Sequence, residues 1–345
     1  MSSTVEGINE DSVTAWFVEH AEGVTAPLQF ELITGGHSNL TFRVTDAAGR
    51  KWVLRRPPLH QVLATAHDMS REHKIIAALG PTDVPVPPIV GLCTDEAVNG
   101  APFYVMEFVD GTVVRDVGIA EKLSLDVRRT AGDSIVSTLA AIHAVDVDAV
   151  GLGDLGKKQD YIARQLRRWY SQFQNSQTRE IPVIDEVHTA LLENIPEQGP
   201  ASIVHGDYRL DNCMISETGD IAAVLDWELC TLGDPLADLG LLVVYSPDRD
   251  ADTPTGVPAP TSLEGFPSTK EMLDQYVRTS GRDLSQIDYY VAFGYWKLAC
   301  IVEGVYARYV GGAMGDRGDT SSFEVFGRQV IALGDRAREA VERIS

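Results

Sequence analysis

The chain has 345 residues, which is long enough for two domains that each bury a core. Its 50 Asp and Glu outnumber its 29 Lys and Arg, and the net charge of −21 argues against a nucleic-acid partner, because phosphate binding needs concentrated basic residues. The sequence has no apolar run that could span a bilayer, no secretory signal pattern and only four widely spaced cysteines, so we expect a cytoplasmic protein without a membrane partner.

The first third of the chain alternates between strand and helix patterns. An amphipathic helix is expected over residues 11–20 and a second one over residues 69–79, where apolar residues recur at helical spacing. Around them, β-strands are predicted at 28–34, 40–45, 51–56, 89–93 and 103–108. We expect these five strands to form one antiparallel sheet.

A glycine-rich segment, Gly35-Gly36-His37-Ser38-Asn39, joins the first two of these strands. The tip of such a hairpin can bend its backbone N–H groups over phosphate oxygens, because glycine tolerates the φ angles that this bend needs. Most Gly-Gly hairpins are merely turns, so this segment alone does not establish a phosphate site.

Beyond residue 110 the pattern becomes predominantly helical. Helices are predicted at 124–144, 160–174, 182–193, 236–245, 287–310 and 323–344, and the sequence S-T-K-E at 268–271 is a capping box that opens one more. A stretch rich in Pro, Asp and Thr at 246–267 predicts a long loop. The change of pattern places a domain boundary near residue 110.

The most informative stretch is 204–228, which reads V-H-G-D-Y-R-L-D-N-C-M-I-S-E-T-G-D-I-A-A-V-L-D-W-E. Short strands are predicted at 203–204, 213–215 and 221–225, with a turn at 217–220. Such a hairpin brings Asn212 and Asp226 together, with Asp207 on the loop beside them. Two oxygen ligands and a neighbouring carboxylate suit Mg²⁺, which leaves room for phosphate oxygens, whereas the plainer interpretation is a polar turn with incidental carboxylates.

The spacing H-G-D-x-x-x-x-N, followed by L-D-W-E, resembles the pattern of aminoglycoside phosphotransferases and choline kinase-like proteins. Within that group it is similar to the kinase-like domains associated with acyl-CoA dehydrogenases. The resemblance implies an α+β, bilobal protein-kinase-like fold. A small antiparallel-sheet N-lobe with the hinge, residues 1–110, would bind nucleotide, and a larger helical C-lobe, residues 111–345, would carry catalysis and substrate binding. It also implies ATP and Mg²⁺ as cofactors.

The same resemblance implies the chemical roles of the motif. Asp207 would orient the hydroxyl of a small-molecule acceptor and accept its proton, while Asn212 and Asp226 would hold Mg²⁺. Glu228 would assist the metal loop on the substrate side or merely stabilise it. The implied activity is transfer of the γ-phosphoryl group of ATP to an alcohol group.

Arg55 takes the strand position where kinases carry a phosphate-binding lysine, so the chain departs from the family pattern there. Arginine can hold phosphate oxygens through its planar fork, so the role could survive with altered geometry. The neighbouring Arg56 competes for this role, but strand alternation sends it to the opposite face. Glu72 on the second helix resembles the acidic partner of the strand cation. A solvated surface position is the alternative for Arg55 and for Glu72.

The backbone would make the remaining nucleotide contacts that the resemblance implies. The hairpin tip would cover the phosphates, and the segment after the fifth strand would bind the adenine edge. The residues concerned are Gly35, Gly36, Ser38 and Asn39 at the tip, and Glu107 and Val109 at the hinge.

Two cations interrupt the otherwise apolar helix at 287–310. Lys297 and Arg308 are separated by about three turns at ~3.6 residues per turn, so they share one face, with Gly304 between them. Unpaired cations are not tolerated in a core, so these two either meet acids, reach solvent or face an anionic group of the acceptor.

Three functional hypotheses remain open. The acceptor is an aminoglycoside-like polycation, which the acidic C-lobe supports, or a hydroxyacyl-CoA-like anion, which the resemblance to dehydrogenase-associated domains supports. The third hypothesis is a nucleotide-binding pseudokinase with a regulatory role. Intact Asp207, Asn212 and Asp226 argue against the third, whereas Arg55 in place of lysine keeps it open.

Overall fold

The computed structural model describes residues 5–33, 39–59, 68–251, 258–311 and 321–344, with residues 321 and 322 described by backbone alone. The chain divides into two compact units, Met1–Gly111 with Ala222–Glu228, and Thr112–Ile221 with Leu229–Ser345. The sequence placed all of 111–345 in one domain, but the segment that carries Asp226 and Glu228 belongs to the first unit. A hydrogen bond of 2.8 Å from the Val224 amide to Pro85 O ties this segment there.

The first unit is built on a five-stranded sheet. Its strands are β1 (Gln29–Leu32), β2 (Leu40–Thr45), β3 (Lys51–Arg56), β4 (Ile89–Cys93) and β5 (Phe103–Glu107), and its helices are α1 (Glu10–His20), α2 (Met69–Leu79) and α3 (Glu96–Asn99). The strand order is β1-β2-β3-β5-β4, and every neighbouring pair is antiparallel. The predicted five-stranded antiparallel sheet is confirmed.

Strand alternation decides which side of this sheet each residue of β3 faces. Leu54 is fully buried in the core that the sheet forms with α1. Arg55 is the next residue and therefore faces the opposite side, whereas Arg56 returns to the α1 side. There Arg56 donates to the backbone carbonyls of Gly7 and Asn99. Arg56 thus has a structural role, and Arg55 remains the cation on the α2 side.

The second unit is mainly helical. Its helices are α4 (Val117–Ala120), α5 (Leu125–Ala144), α6 (Tyr161–Ser176), α7 (Pro182–Glu193), α8 (Leu236–Tyr245), α9 (Thr269–Ser280), α10 (Ile287–Val310) and α11 (Ser321–Val341). It also contains β6 (Ser202–Val204), β7 (Cys213–Ile215) and β9 (Thr231–Gly233), and β8 (Ile221–Val224) carries the chain into the first unit. Strands β6 and β9 pair antiparallel.

Helix α10 lies at the centre of the second unit's core. Tyr289, Phe293 and Trp296 are buried there with apolar residues of α6, α7, α8 and α11. A helix that is apolar on most sides is expected to be enclosed in this way. None of the helices in the described ranges combines the length and the apolar character needed to cross a membrane.

Most element ends follow the sequence pattern. Helices α2, α7, α8 and α10 begin and end at the predicted residues, and α9 opens with the expected reciprocal bonds between Ser268 and Glu271. Strand β9 was not predicted, because the segment at 230–235 was interpreted as a loop. Three residues carry no periodicity, so only the pairing with β6 defines this strand.

Candidate active site

A buried ion-pair cluster lies on the α2 side of the first unit's sheet. The Nη2 atom of Arg55 is 3.4 Å from Oε1 of Glu72 and 3.6 Å from Oδ1 of Asp226. The side chains of Arg55 and Glu72 are 12% and 3% exposed, whereas that of Asp226 is 36% exposed. The structure therefore brings three predicted site residues together, with Asp226 at the solvent edge of the cluster.

Several polar atoms of this cluster have no hydrogen-bond partner among the residues that the structure describes. They are Nε of Arg55, both carboxylate oxygens of Glu72, the hydroxyl of Tyr104 and Oδ1 of Asp226. An unpaired buried polar atom costs about 1–3 kcal/mol, and native proteins contain few of them. This concentration fits a site whose partners come from a ligand, because a guanidinium suits phosphate and carboxylates suit a hard cation.

The surroundings of Arg55 keep it charged. Burial works against its charge, but Tyr104, Glu72, Asp226 and Glu228 outweigh burial and raise its pKa above the usual value. Burial raises the pKa of Glu72, and the charge of Arg55 opposes that rise. Arg55 is therefore a fixed cation, and half-buried Glu228 contributes to the field around it.

Asp226 adopts an uncommon backbone conformation just after β8. Its φ angle is 62°, in the left-handed region that residues other than glycine rarely occupy. A 3₁₀ turn at Trp227–Leu229 follows, and the Trp227 indole donates to Val224 O at 3.1 Å. Such backbone strain concentrates at functional sites, where it directs a side chain that a regular strand would direct elsewhere.

In the second unit, the predicted catalytic aspartate lies on a tight loop after β6. Gly206 has a φ of 86°, and a Cβ atom there would come within 3.0 Å of Leu229 O, so this position requires glycine. The carboxylate of Asp238 in α8 accepts from the amides of His205 (2.6 Å) and Gly206 (2.9 Å). These bonds fix the backbone immediately before Asp207, whose side chain is 30% exposed.

Asp238 is fully enclosed and is held in its ionised form. Burial opposes ionisation, but His143 and the Gly206 amide outweigh it and lower the pKa of Asp238. The Nε2 atom of His143 is 3.5 Å from Oδ2 of Asp238, and its Nδ1 is 2.7 Å from the hydroxyl of Tyr276. Buried polar contacts that join His143 of α5, Asp238 of α8 and Tyr276 of α9 thus support the loop that carries Asp207.

Asn212 is tied directly to the same loop. It closes the 3₁₀ turn Leu210–Asn212, and its Nδ2 donates to the backbone O (2.8 Å) and to Oδ2 (2.9 Å) of Asp207. Because the amide nitrogen is used in this way, Oδ1 is the atom that Asn212 can offer to a cation. An amide oxygen is a ligand type that Mg²⁺ accepts, so the residue fits its predicted role.

The sequence did not reveal a cavity of about 280 Å³ beside the loop that follows Asp207. Arg209 and Asp211 line it, and Arg209 lies 3.7 Å from Oδ2 of Asp207 and 3.3 Å from Oδ2 of Asp211. The Cζ atom of Arg209 also lies over the Tyr245 ring, 4.8 Å from its centre. Burial, together with the Asp207 carboxylate, raises the pKa of Tyr245.

The other walls of this cavity come from distant parts of the second unit. They include Arg115, Val244, Pro260, Tyr295, Leu298 and Leu333. Among the lining residues, Arg209, Leu210 and Asp211 lie inside the 204–228 motif. The remaining residues share no spacing, because the fold assembles them from α8, α10, α11 and two loops.

The two cations of α10 lie in different surroundings. Lys297 is 5% exposed, and its Nζ donates to Gly206 O at 2.7 Å, whereas Arg308 is exposed. They lie on one face as predicted by their spacing, but about 16 Å apart along the axis at ~1.5 Å per residue. The structure thus gives Lys297 a backbone partner and Arg308 access to solvent, and an anionic acceptor group bound by this pair stays a prediction.

The structure describes some of the residues whose backbone is predicted to contact a nucleotide. Gly35, Gly36 and Ser38 lie outside the described residues. Asn39 is 5% exposed at the start of β2. Glu107 ends β5 and its amide donates to Pro88 O at 2.8 Å, while Val109 follows as a half-buried residue. Glu107 can therefore offer its carbonyl, not its amide, to an adenine edge.

A profile of the family described as "Phosphotransferase enzyme family" matches residues 29–270. Acyl-CoA dehydrogenase family member 10 of Mus musculus is 36% identical over 301 residues, which cover 84% of this chain and 27% of that protein. Acyl-CoA dehydrogenase family member 11 of Homo sapiens is 33% identical over 342 residues, which cover 96% of this chain and 43% of that protein. The chain thus spans less than half the length of these relatives.

A solved structure shows the same architecture. It is a Ralstonia eutropha protein, provisionally named an aminoglycoside phosphotransferase, with 33% identity and a TM-score of 0.83 over 97% of this chain and 98% of that one. The five-stranded antiparallel sheet and the helical second unit match the bilobal kinase-like fold of such proteins. The chain therefore belongs to the phosphotransferase enzyme family.

Proposed function

We propose that the chain is a small-molecule kinase that uses ATP and Mg²⁺ to phosphorylate an alcohol group. The observation that carries this proposal is the cluster of Arg55, Glu72 and Asp226, whose unpaired buried atoms suit phosphate and a cation. Membership of the phosphotransferase family supports a nucleotide site there rather than a purely structural ion pair.

Asp207 acts on the acceptor. Its carboxylate, held by Asn212 Nδ2 at 2.9 Å, orients the hydroxyl and receives its proton as the new O–P bond to the γ-phosphorus forms and the bond from that phosphorus to the oxygen of the leaving ADP breaks. Asn212 and Asp226 supply oxygen ligands for Mg²⁺, and the bound ion neutralises charge on the phosphates of ATP. Because Asp226 is 36% exposed, its carboxylate is accessible to a metal–nucleotide complex.

The remaining nucleotide contacts follow the family pattern. Arg55 holds phosphate oxygens through its guanidinium, and Glu72 fixes the orientation of Arg55. The backbone of the hairpin tip covers the phosphates, the hinge binds the adenine edge, and Glu228 assists the metal loop. The residues in these backbone roles are Gly35, Gly36, Ser38 and Asn39 at the tip and Glu107 and Val109 at the hinge.

The cavity beside the Asp207 loop supports a hydroxylated acyl anion as the acceptor rather than an aminoglycoside. Val244, Leu298 and Leu333 give it apolar walls that suit a hydrocarbon chain, and Arg115 suits an anionic group. A polycation would need unpaired acids, whereas the acid that lines the cavity, Asp211, lies 3.3 Å from Arg209. The dehydrogenase names of the relatives agree with an acyl compound.

A second candidate function is a pseudokinase that binds nucleotide and regulates a partner. Arginine in place of the phosphate-binding lysine favours it, because Arg55 lacks the compact charge of an ammonium group. The geometry around Asp207 and Asn212 favours the kinase, since a protein without turnover has no need for an aspartate held in this way.

The deciding experiment measures Mg²⁺-dependent ATP turnover against hydroxyacyl-CoA compounds and aminoglycosides, with wild type and Asp207→Ala side by side. We expect turnover of the acyl compounds and a loss of roughly 10²–10⁴-fold in Asp207→Ala, the usual contribution of a general base. Calorimetry should show nearly unchanged affinity for Mg·ATP in this variant. Tight nucleotide binding without Asp207-dependent turnover of any acceptor would instead establish the pseudokinase.

A further inference from the structure

Lys297 is enclosed in the second unit and touches the loop of the catalytic aspartate. Its Nζ donates to the backbone carbonyl of Gly206 at 2.7 Å and lies 5.5 Å from the centre of the Trp169 ring. Gly206 immediately precedes Asp207, so the contact reaches the peptide that carries the aspartate.

A buried lysine needs an explanation, because the interior disfavours its charge. Burial lowers the pKa of Lys297, and the negative charges of Asp238 and Asp207 oppose that shift. Replacing buried charges by apolar residues of similar volume is often neutral or stabilising. Packing alone would therefore be served by methionine or leucine at this position, whereas a bond to a carbonyl requires a donor.

The loop is held from both sides at Gly206. Asp238 accepts from the amides of His205 and Gly206, and Lys297 donates to the carbonyl of Gly206. Glycine is the residue with the greatest backbone freedom, so its neighbours would otherwise reorient easily. With the amide and the carbonyl of Gly206 both fixed, the plane of the next peptide is fixed as well, and with it the direction of the Asp207 side chain.

We infer that Lys297 is a positioning residue that fixes the Gly206–Asp207 peptide and so aims the Asp207 carboxylate at the acceptor hydroxyl. The inference rests on the proposed phosphotransferase function. Misplacing a reacting group by about 1 Å can cost 10²-fold in rate, so the loss should appear in kcat. The KM for Mg·ATP should stay constant, because the contacts of Lys297 are with the Gly206 carbonyl and the Trp169 ring, and neither residue is proposed to bind nucleotide.

The test compares Lys297→Met with Lys297→Gln. Both side chains end one bond closer to Cα than lysine does, but methionine has no donor and glutamine keeps a neutral one. The matched control is Lys270→Met, since Lys270 in α9 is 84% exposed. We expect Lys297→Met to lose about 10–100-fold in kcat per folded molecule, Lys297→Gln to lose less, and the control to match wild type. Circular dichroism and thermal unfolding establish the folded fraction of each variant.

Hydrogen–deuterium exchange of the peptide that covers residues 204–209 gives a readout that does not depend on activity. Faster exchange there in Lys297→Met, with unchanged exchange in the control, is the expected result. Wild-type kcat together with wild-type exchange in a folded Lys297→Met would overturn the inference. If Lys297→Met does not fold, Lys297→Gln decides by the same two measurements.

The Asp207→Ala variant distinguishes a failure of the proposed phosphotransferase function from a failure of the positioning role of Lys297. Absence of Asp207-dependent turnover in wild type would refute the proposed function, and the exchange data alone would then decide whether Lys297 fixes the loop. Normal turnover in wild type with normal Lys297 variants would refute only the positioning role.

Discussion

Arg55 is the residue where the chain departs from the lysine of the family pattern. A lysine would place a compact charge on a flexible stem, whereas the guanidinium is planar and presents several donors in a fixed fork. Its Nη2 lies 3.4 Å from Glu72 and 3.6 Å from Asp226, and its Nε has no partner among the described residues. The Nε donor could therefore bind a ligand while Nη2 stays beside Glu72 and Asp226.

We therefore expect Arg55→Lys to impair the enzyme even though it conserves charge. The loss of one charge-assisted hydrogen bond is worth about 1.5–3 kcal/mol, which corresponds to roughly 10–100-fold in kcat/KM for ATP. Steady-state kinetics at saturating Mg²⁺ would measure it. Arg56→Lys is the matched control, because Arg56 faces the other side of β3 and donates to the carbonyls of Gly7 and Asn99. Equal kinetics for the two variants would contradict the assignment of Arg55.

At the scale of elements, glycines allow α8 and α10 to approach closely. A Cβ atom on Gly240 in α8 would lie 2.4 Å from the carbonyl oxygen of Tyr290 in α10. Backbone atoms cannot rotate away as a flexible side chain could, so the helices would have to separate. Because Asp238 and Lys297 lie on these two helices, the packing of α8 against α10 also determines how the loop of Asp207 is held.

Gly240→Ala should accordingly destabilise the second unit by about 1–3 kcal/mol, the usual cost of overpacking. Gly304→Ala in α10 is the control, because its Cβ atom would find its nearest neighbour at 3.8 Å. There alanine should stabilise the helix by roughly 0.5–1 kcal/mol through its higher helix propensity. Urea unfolding followed by circular dichroism would compare them, and a similar effect in both variants would contradict the close packing at Gly240.

The junction of α5 and α9 carries an acid-sensitive contact. Glu271 completes the cap of α9 by accepting from the Ser268 amide at 2.9 Å, and it accepts from Arg129 of α5 at 2.8 Å. The bond from Arg129, followed by those from Ser268, lowers the pKa of Glu271 to about 2 from 4.5. A carboxyl group whose pKa is lower in the folded state contributes stability above its unfolded pKa and loses that contribution as the pH falls.

Glu271→Gln should therefore reduce the melting temperature at pH 6 and flatten its fall between about pH 4.5 and pH 2. Thermal unfolding as a function of pH would test this. Glu193→Gln, an exposed substitution of the same kind in α7, serves as the control. A variant that keeps the full acid dependence of the wild type would show that the Arg129–Glu271 bond contributes nothing measurable.

At the scale of the whole molecule, the chain passes from one compact unit to the other within the 204–228 motif. Asn212 belongs to the second unit and Asp226 to the first, although only a short stretch of sequence separates them. The net charge of −21 gives no support for a nucleic-acid substrate.

A ligand that binds only the folded protein should stabilise it, by about 2.7 kcal/mol at 100 times its Kd. We expect ATP to raise the unfolding midpoint with Mg²⁺ present and to lose most of that effect after chelation with EDTA. Asp226→Asn should lose most of the Mg²⁺-dependent increase, because it removes a charge that faces the cation, and Asn212→Ala should lose less. If Mg²⁺ raised the unfolding midpoint of both variants as much as that of the wild type, the metal assignment would be refuted.

The sequence by itself determined the features that depend on local chemistry. Helical periodicity and capping residues predicted α2, α7, α8, α9 and α10, and alternation along β3 separated Arg55 from Arg56. The motif around Asp207, Asn212 and Asp226 predicted the family, because the chemistry requires those residue types at that spacing. Each of these signals is carried by neighbours along the chain.

Only the tertiary structure decided what depends on residues far apart in sequence. It enclosed Lys297 against Gly206, so a lysine that the sequence left with three possible surroundings donates to the loop of Asp207. It formed the cavity of Arg209 and Tyr245, and it assigned residues 222–228 to the first unit. Burial and long-range pairing are properties of the packed chain, and helical or strand periodicity specifies only which face of an element is apolar. The sequence showed that Lys297 had to find a partner, but the fold alone selected Gly206 O.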